Sequence, residues 1–341
     1  MVNGKKVVYF NHWFSAIYNT IRAIKDSPIG DTVSVIGSSK NENVVYKNIV
    51  DKFRVEPDDT VSELEYVNWL LEVGKEEKVD VFFVKRGMKS VAYHKKQFEE
   101  IGVQVICDDY NALETLEDKE KTYRRVVEPF YTPDYTSVED YVDFERVLTK
   151  YIYKYGKAVV KKACDEGGQS VRVVSMGASS DTYKNGFTGL NISIEDMLTS
   201  YKLEGERNNG AYPKVIVMQY LTDEVSVDCY RGTSGQFALP RYKNSKRIQE
   251  MKRDNSLEKR ALEIGKILKL KCPYNVQFRK DKNGHYKVID INARMSGGIH
   301  IASQCGINIP IICLCDALRK DCEVPEFKEV KVVQIETAIT L

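Results

Sequence analysis

The 341-residue sequence has no CxxC pair among its eight cysteines, no run of 18 apolar residues, and almost no net charge: 51 Lys+Arg stand against 49 Asp+Glu. Each absence excludes a class. Without an 18-residue apolar run there is no conventional membrane-spanning helix. Without a basic excess the chain is not a dedicated DNA-coating protein, which carries a pI above about 9. The four histidines (12, 94, 285 and 300) show no ligand spacing with the cysteines, which argues against zinc. The cysteines (107, 164, 229, 272, 305, 313, 315 and 322) lie mostly inside apolar runs. They are expected to be buried reduced thiols in a cytoplasmic protein. Only four strongly apolar residues, Val7–Phe10, follow the charged start, so a signal peptide is not expected there. Repeats and low-complexity linkers are also missing. What remains is an ordinary globular composition, 43% hydrophobic and 29% charged, long enough for two or three domains.

The first third alternates short apolar runs with helical patterns. Lys6–Phe10, Thr32–Ile36, Val79–Val84 and Val103–Cys107 read as strands. Ala16–Lys25, Val61–Lys75 and Val91–Glu100 read as helices between them. This order implies a parallel, doubly wound sheet. The first strand runs into Asn11-His12-Trp13-Phe14-Ser15 instead of GxGxxG, so a dinucleotide fingerprint is absent. Glu114–Arg125 and Val138–Lys154 read as helices, with a loop at Pro129–Asp134. Strands follow at Ala158–Lys162, Ser170–Ser175, Val215–Leu221 and Glu224–Tyr230. A helix at Leu257–Leu268 precedes a hairpin whose arms, Asn275–Arg279 and Tyr286–Ile291, meet at Asn283-Gly284.

That hairpin and its continuation, NVQFRKDKNGHYKVIDINARMSGG, carry the chemistry. Alternation puts Asn275 and Gln277 on one face of the first arm. Asp290, Asn292 and Arg294 share a face of the second arm or its continuation. Val276, Phe278, Ile289 and Ile291 then point to the core. The polar faces collect carboxylate and carboxamide oxygens, which suit Mg²⁺ completed by water and substrate phosphates, beside a guanidinium matched to a phosphoryl group. An amphipathic hairpin with a solvated face would show the same alternation. Ser296-Gly297-Gly298 adds a place where backbone can approach a ligand closely.

The segment resembles the C-terminal signature of the ATP-grasp superfamily, NxQ followed by acid, Asn, Arg and Ser-Gly-Gly. It is most similar to the carbamoyl-phosphate-synthetase type and to stand-alone carboxylate–amine ligases. Asp118-Lys119, the strand Ala158–Lys161, Gly167-Gly168-Gln169-Ser170, and Val217–Leu221 with Glu224–Asp228 resemble further family segments in order. The resemblance implies an α/β chain with a doubly wound pre-ATP-grasp domain at 1–115. A two-subdomain α+β ATP-grasp fold would follow, its lid with entry helices at 116–215 and its nucleotide- and metal-binding part at 216–341.

By the same resemblance, Lys119 and Lys161 hold ATP phosphates, and Gly167, Gly168, Gln169 and Ser170 form the loop that closes over them. Gln219, Tyr220 and Leu221 form the adenine hinge, and Glu224 binds ribose. Asp228 is a candidate on the ligand-facing sheet, and Arg241 one for the acyl-phosphate region. Gln277, Asp290 and Asn292 match ligands of Mg²⁺ (or Mn²⁺), and Arg294 the arginine beside the transferred phosphoryl. Asn275, Ser296, Gly297 and Gly298 fall to the substrate side. The implied reaction is ADP-forming ligation of a small-molecule carboxylate to an amine through an acyl phosphate, under a lid at about 155–212. A kinase of this fold and a non-catalytic ATP-binding module are the rival readings. Dimers are common in this class. Nucleic acid and membrane are not expected as partners, and the basic stretch Arg241–Arg247 is expected to be a phosphate-facing or solvated loop. His12 and His300 suit either a pocket or the core. Four positions depart from the family pattern: Asp290 stands for the usual Glu, Ala293 and Lys162 for Pro, and Gln219 for Glu. The glycine loop is lean, with Gln169 and Val171 where further glycines are common.

Overall fold

The computed structural model describes residues 4–126, 132–165, 168–177, 190–244 and 247–335. Sixteen strands are defined among them. In chain order they are β1 (Lys6–Asn11), β2 (Val33–Ser39), β3 (Lys52–Val55), β4 (Val81–Phe83), β5 (Gln104–Ile106), β6 (Tyr135–Val138), β7 (Ala158–Lys162) and β8 (Arg172–Ser175). They continue with β9 (Asn191–Ser193), β10 (Val215–Gln219), β11 (Thr222–Gly232), β12 (Gly235–Lys243), β13 (Ile248–Met251), β14 (Tyr274–Lys280), β15 (Tyr286–Asn292) and β16 (Val330–Val333). Contacts group the chain into two units. One comprises Met1–Glu114, Glu224–Gln277 and Ile291–Leu341; the other comprises Thr115–Asp223 and Phe278–Asp290. Strands β14 and β15 each begin in one unit and end in the other.

The larger unit opens with the five-stranded sheet β3-β2-β1-β4-β5, every described pair parallel. Strand order reverses direction at β1, the mark of a doubly wound sheet. Val8, Phe10, Val35, Val81 and Phe83 present one face to the helix Ile17–Lys25, whose Ile17, Ile21 and Ile24 are buried at helical spacing. The Phe10 and Phe83 rings stack at 4.9 Å. The same core takes in Met295, Ile299, Ile312 and Leu314 from the end of the chain. The helix Glu63–Glu76 is started by a capping box of Ser62 and Glu65.

The second sheet has the order β15-β14-β11-β12-β13-β16. Its pairs β11–β12, β12–β13 and β13–β16 are antiparallel. The smaller unit holds the sheet β6-β10-β7-β8-β9, with β10 buried along its whole length. Helices Tyr141–Tyr155 and Ile194–Arg207 supply Phe144, Leu148, Ile152, Met197 and Tyr201 to one core of this unit. A second cluster forms from Tyr123, Ala163, Ile216, Met218 and Leu221. The chain is therefore mixed α/β, with a parallel N-terminal sheet and antiparallel or mixed sheets after it.

Several local expectations need correction. The helix expected at Val91–Glu100 is two short helices, Met88–Tyr93 and Lys95–Glu100, meeting at His94. The helix expected at Glu114–Arg125 is also two, Tyr110–Glu117 and Lys119–Arg125. Asp118 breaks it with extended φ/ψ, and its carboxylate accepts from the amides of Glu120 and Lys121 as an N-cap. Strands β10 and β11, adjacent in sequence, belong to different sheets. Arg241–Lys243 lie inside strand β12, with Arg241 buried, where a loop was expected; 245 and 246 lie outside the described residues. Cys164 is exposed, and Cys272 and Cys322 are half-buried, while the other five thiols are buried; all eight are free. Among the described residues no single helix is long and apolar enough to cross a membrane.

Candidate functional site

In the smaller unit the site begins with Lys161. It sits on β7, paired with Ile216 of the fully buried β10, and is 5% exposed. An ammonium there needs partners. Its Nζ donates to the carbonyl of Ile289 at 2.7 Å and to the Tyr123 hydroxyl at 2.8 Å. Burial pulls the ammonium down to about 8, against the charge of Asp290, with Lys119 adding to the fall. Lys119 is the first residue of its helix because Asp118 caps it. Its Nζ donates to the carbonyl of Asp165 at 2.6 Å.

Asp165 also closes the glycine turn. Its carboxylate accepts from the amide of Ser170 at 2.8 Å, and the Ser170 hydroxyl accepts from the amide of Lys162 at 3.0 Å. Gly168 has φ +71°, which favours glycine; Gln169 beside it is exposed. Gly167 lies outside the described residues. At the expected hinge, the Gln219 side chain accepts from the amide of Asp134 at 3.1 Å, and Gln219 N donates to the Asp134 carbonyl at 3.0 Å. The carboxamide that replaces Glu is thus used inside the protein. Leu221 is buried, and Tyr220 is half-buried with the Lys157 ammonium 5.6 Å from its ring.

In the larger unit a buried polar network lies on β11 to β14. Arg241 donates to Gln249 Oε1 at 2.6 Å, to Ser226 Oγ at 3.1 Å and to Ser296 Oγ at 3.4 Å. Asn275 donates to Ser226 Oγ and to Asp228 Oδ1, each at 2.9 Å. Arg241, Asp228 and Asn275 are all at most 3% exposed. The Arg241 Nε and Asp228 Oδ2 face each other at 3.6 Å; those two atoms and Asn275 Oδ1 find no hydrogen-bond partner among the described residues. Gly298 roofs this network: a Cβ there would lie 2.5 Å from Arg241 Cζ. Gly297 is exposed and a Cβ on it would meet nothing within 4 Å. Glu224, farther along β11, is ion-paired with Lys243.

Gln277 and Asn292 are half-buried in this unit, and Asp290 is half-buried in the other; Asp290 and Asn292 share one face of β15. Ile291 between them is buried, but Ile289 is only half-buried, and Val288, on the Asp290 face, is fully buried. Arg294 donates to the carbonyl of Met295 at 3.2 Å and lies 4.8 Å over the Phe14 ring. Phe14, Trp13, Thr20, Met295, Ser296 and Ile299 line a narrow crevice with no room for a water molecule. His12 and His300 are half-buried, and burial lowers the pKa of each.

The structure thus gathers Asn275, Asp228, Arg241, Ser296 and Gly298 in one place, and sets Lys161 at the carbonyl preceding Asp290. It does not put the Gln219 carboxamide or the Asn275 amide on an open surface. Sequence reasoning missed Tyr123, Lys243, Ser226 and Gln249. Two of these had a signal: Tyr123 lies four residues after Lys119 on one helix face, and Lys243 two after Arg241 on one strand face.

Residues 211–338 match the model of a family described as "ATP-grasp in the biosynthetic pathway with Ter operon". Solved structures align in fold over most of the chain. An N5-carboxyaminoimidazole ribonucleotide synthetase in complex with ADP aligns with a TM-score of 0.66 at 14% identity, covering 98% of this chain and 82% of that one. The C-terminal part of the chain is thus similar to an ATP-grasp family, and the chain as a whole has the fold of these aligned structures. Other solved ATP-grasp structures align similarly. Biotin carboxylase from Campylobacter jejuni gives a TM-score of 0.65 at 15% identity, over 93% of this chain and 72% of that one. The L-amino acid ligase from Bacillus licheniformis gives 0.63 at 15% identity, over 93% and 75%. No curated protein matches the chain in sequence.

The donor set bears on the metal that the ATP-grasp fold implies. Among the described residues no group of three or more His, Cys, Asp and Glu side chains could hold an ion by itself. One carboxylate, Asp290, and the carboxamides of Gln277 and Asn292 are hard oxygen donors. They fit a Mg²⁺ that keeps water and phosphate ligands, and do not fit a tightly held protein-only ion.

Proposed function

We propose that this protein is an ATP-dependent carboxylate–amine ligase that forms ADP and works through an acyl phosphate. A carboxylate oxygen of the substrate attacks the γ-phosphorus of ATP, and the bond to the β-phosphate oxygen breaks, releasing ADP. An amine then attacks the acyl carbon, and inorganic phosphate leaves. The observation that carries this reading is the buried Lys161 ammonium, hydrogen-bonded to the carbonyl that precedes Asp290. A cation kept that far from water, in a strand that leads to a glycine turn, suits a phosphate better than it suits packing.

In this reading Lys119 and Lys161 offset phosphate charge, and the turn at Gly168 and Ser170 covers the phosphates. Glu224 holds the ribose, and the backbone at Gln219–Leu221 reads the adenine. Asp290, Asn292 and Gln277 hold Mg²⁺, which when bound neutralises and orients the phosphates. Arg294 faces the transferred phosphoryl. Asp228, Arg241 and Asn275 support the ligand-facing sheet from within it, and Ser296 with Gly298 borders the acyl substrate. The names of the aligned proteins, a synthetase, a carboxylase and an amino acid ligase, agree with carboxylate activation, and the family description agrees with a biosynthetic role.

The test is ADP release from Mg·ATP over a panel of small carboxylates, each with and without amines such as amino acids. ADP that requires both acid and amine, and that falls at least 100-fold in Asp290→Ala and Lys161→Ala, is the expected result. ADP with acid alone, without hydroxamate on trapping with hydroxylamine, would make the protein a kinase instead.

A further inference from the structure

We infer that Tyr123 is a positioning residue that aims the Lys161 ammonium. The inference rests on the reading of Lys161 as a phosphate-binding cation, and deepens it. Three polar atoms close a triangle. Lys161 Nζ lies 2.8 Å from Tyr123 Oη and 2.7 Å from the Ile289 carbonyl, and Tyr123 Oη lies 2.8 Å from that same carbonyl. The phenol has one proton, and directed at the carbonyl it leaves the oxygen's lone pairs as acceptors for the ammonium. The two acceptors, close together on one side of Nζ, restrain rotation of the ammonium about its Cε–Nζ bond and so orient its third proton.

A lysine on four rotatable carbons is otherwise a poorly aimed charge. Here the supporting ring is packed on every side that the structure describes. Tyr123 is 2% exposed, clusters with Ala163, Ile216, Met218 and Leu221, and meets the Tyr135 ring at 5.0 Å. It stands on the helix that begins at Lys119. One capped helix therefore carries one proposed phosphate cation and the support of the other. The shared carbonyl belongs to the residue before Asp290, so the same hydroxyl also pins the strand that carries the proposed metal carboxylate.

A hydroxyl that merely fills space and one that aims a cation differ in their coupling to Lys161. The experiment is a double-mutant cycle of Tyr123→Phe and Lys161→Met. Its readout is the dissociation constant of the Mg²⁺ complex of β,γ-imido-ATP by calorimetry, with AMP as a second ligand. Tyr123→Phe is expected to weaken the triphosphate about tenfold, the scale of one hydrogen bond to a charge, and AMP less than twofold. In the Lys161→Met background the same change is expected to cost nothing further. Equal losses in both backgrounds, or equal losses for AMP and the triphosphate, would overturn the inference and leave the reading of Lys161 intact. Lys161→Met binding the triphosphate like wild type, or wild type not binding it, would overturn the reading itself and the inference with it. Tyr123→His, which keeps a ring nitrogen able to accept, is the second variant should Phe not fold. It is expected to lie between Phe and wild type.

Discussion

Asp108 is 2% exposed at the end of the parallel sheet, and only half of its carboxylate is satisfied. Oδ1 accepts from the amides of Lys271 at 2.6 Å and Cys272 at 3.1 Å, whereas Oδ2 is buried with no hydrogen-bond partner among the described residues. Burial outweighs the two amides and raises the pKa to about 6. The folded state therefore binds a proton that the unfolded chain, with an ordinary Asp near 4, gives up. Stability contributed here falls as pH rises from about 4 to about 6, and the full cost, on the order of 2–3 kcal/mol, persists above it. Asp108→Asn keeps an acceptor oxygen for both amides and removes the charge. It is expected to raise stability by about 1–2 kcal/mol at pH 7.5 and to change it little at pH 4.5, read by urea unfolding. A loss of the same size at both pH values would show that the amide cannot replace the acid. Nothing in the sequence marked Asp108, because Asp108-Asp109 after a strand has the look of a solvated turn. Lys161 could be singled out through its resemblance to a phosphate-binding lysine, and Tyr123 only by its helical spacing from Lys119; that both meet the Ile289 carbonyl was not legible, since it lies more than 160 residues beyond Tyr123.

At the scale of elements, the hairpin of β14 and β15 was legible because an Asn-Gly turn joins two arms of strict alternation. The same alternation misjudged Ile289, which lies beside Tyr123 in a smaller cluster and not in the main core. Strands β3, β13 and β16, of four residues each, were not legible; each has mixed polarity and becomes a strand only through its partner. Arg241 shows the consequence. A basic stretch reads as solvated, yet β12 pairs Arg241 with Ser226 of β11 and Met251 of β13 and carries it inside. That placement gives the two glycines of Ser296-Gly297-Gly298 different duties. The guanidinium runs under Gly298, whereas Gly297 has open space above it. Gly298→Ala is expected to lose about 1–3 kcal/mol of stability through overpacking, and Gly297→Ala less than about 0.5 kcal/mol. Denaturant midpoints at constant m-value decide this. Equal effects at both positions would mean that Arg241 moves aside freely and that Gly298 serves some end other than packing.

For the whole molecule, the doubly wound order of the first third was readable from alternating helices and strands, while the interleaving of later segments was not. The chain passes between its two units at 114/115, 223/224, 277/278 and 290/291, and composition does not change at any of these points. Of the proposed metal residues, Gln277 and Asn292 belong to one unit and Asp290 to the other. Their chemistry sets a global expectation. A ligand that binds only the folded state adds RT ln(1 + [L]/Kd), about 2.7 kcal/mol at a hundredfold excess over Kd, which for a chain of this length is a rise of a few degrees in Tm. One carboxylate and two carboxamides neutralise too little charge to hold Mg²⁺ without phosphate oxygens, so Mg²⁺ alone is expected to shift Tm by less than a degree. ADP with excess chelator is expected to shift it by less than half as much as Mg·ADP, because the phosphates then meet Asp290 without an intervening cation. Asp290→Ala should narrow that gap, since it removes both a metal ligand and the repulsion that the metal screens. Differential scanning calorimetry at fixed ligand excess checks all four conditions. A shift that is the same with and without chelator would strip Gln277, Asp290 and Asn292 of any metal role, and would leave Lys119 and Lys161 as the residues answering for nucleotide binding.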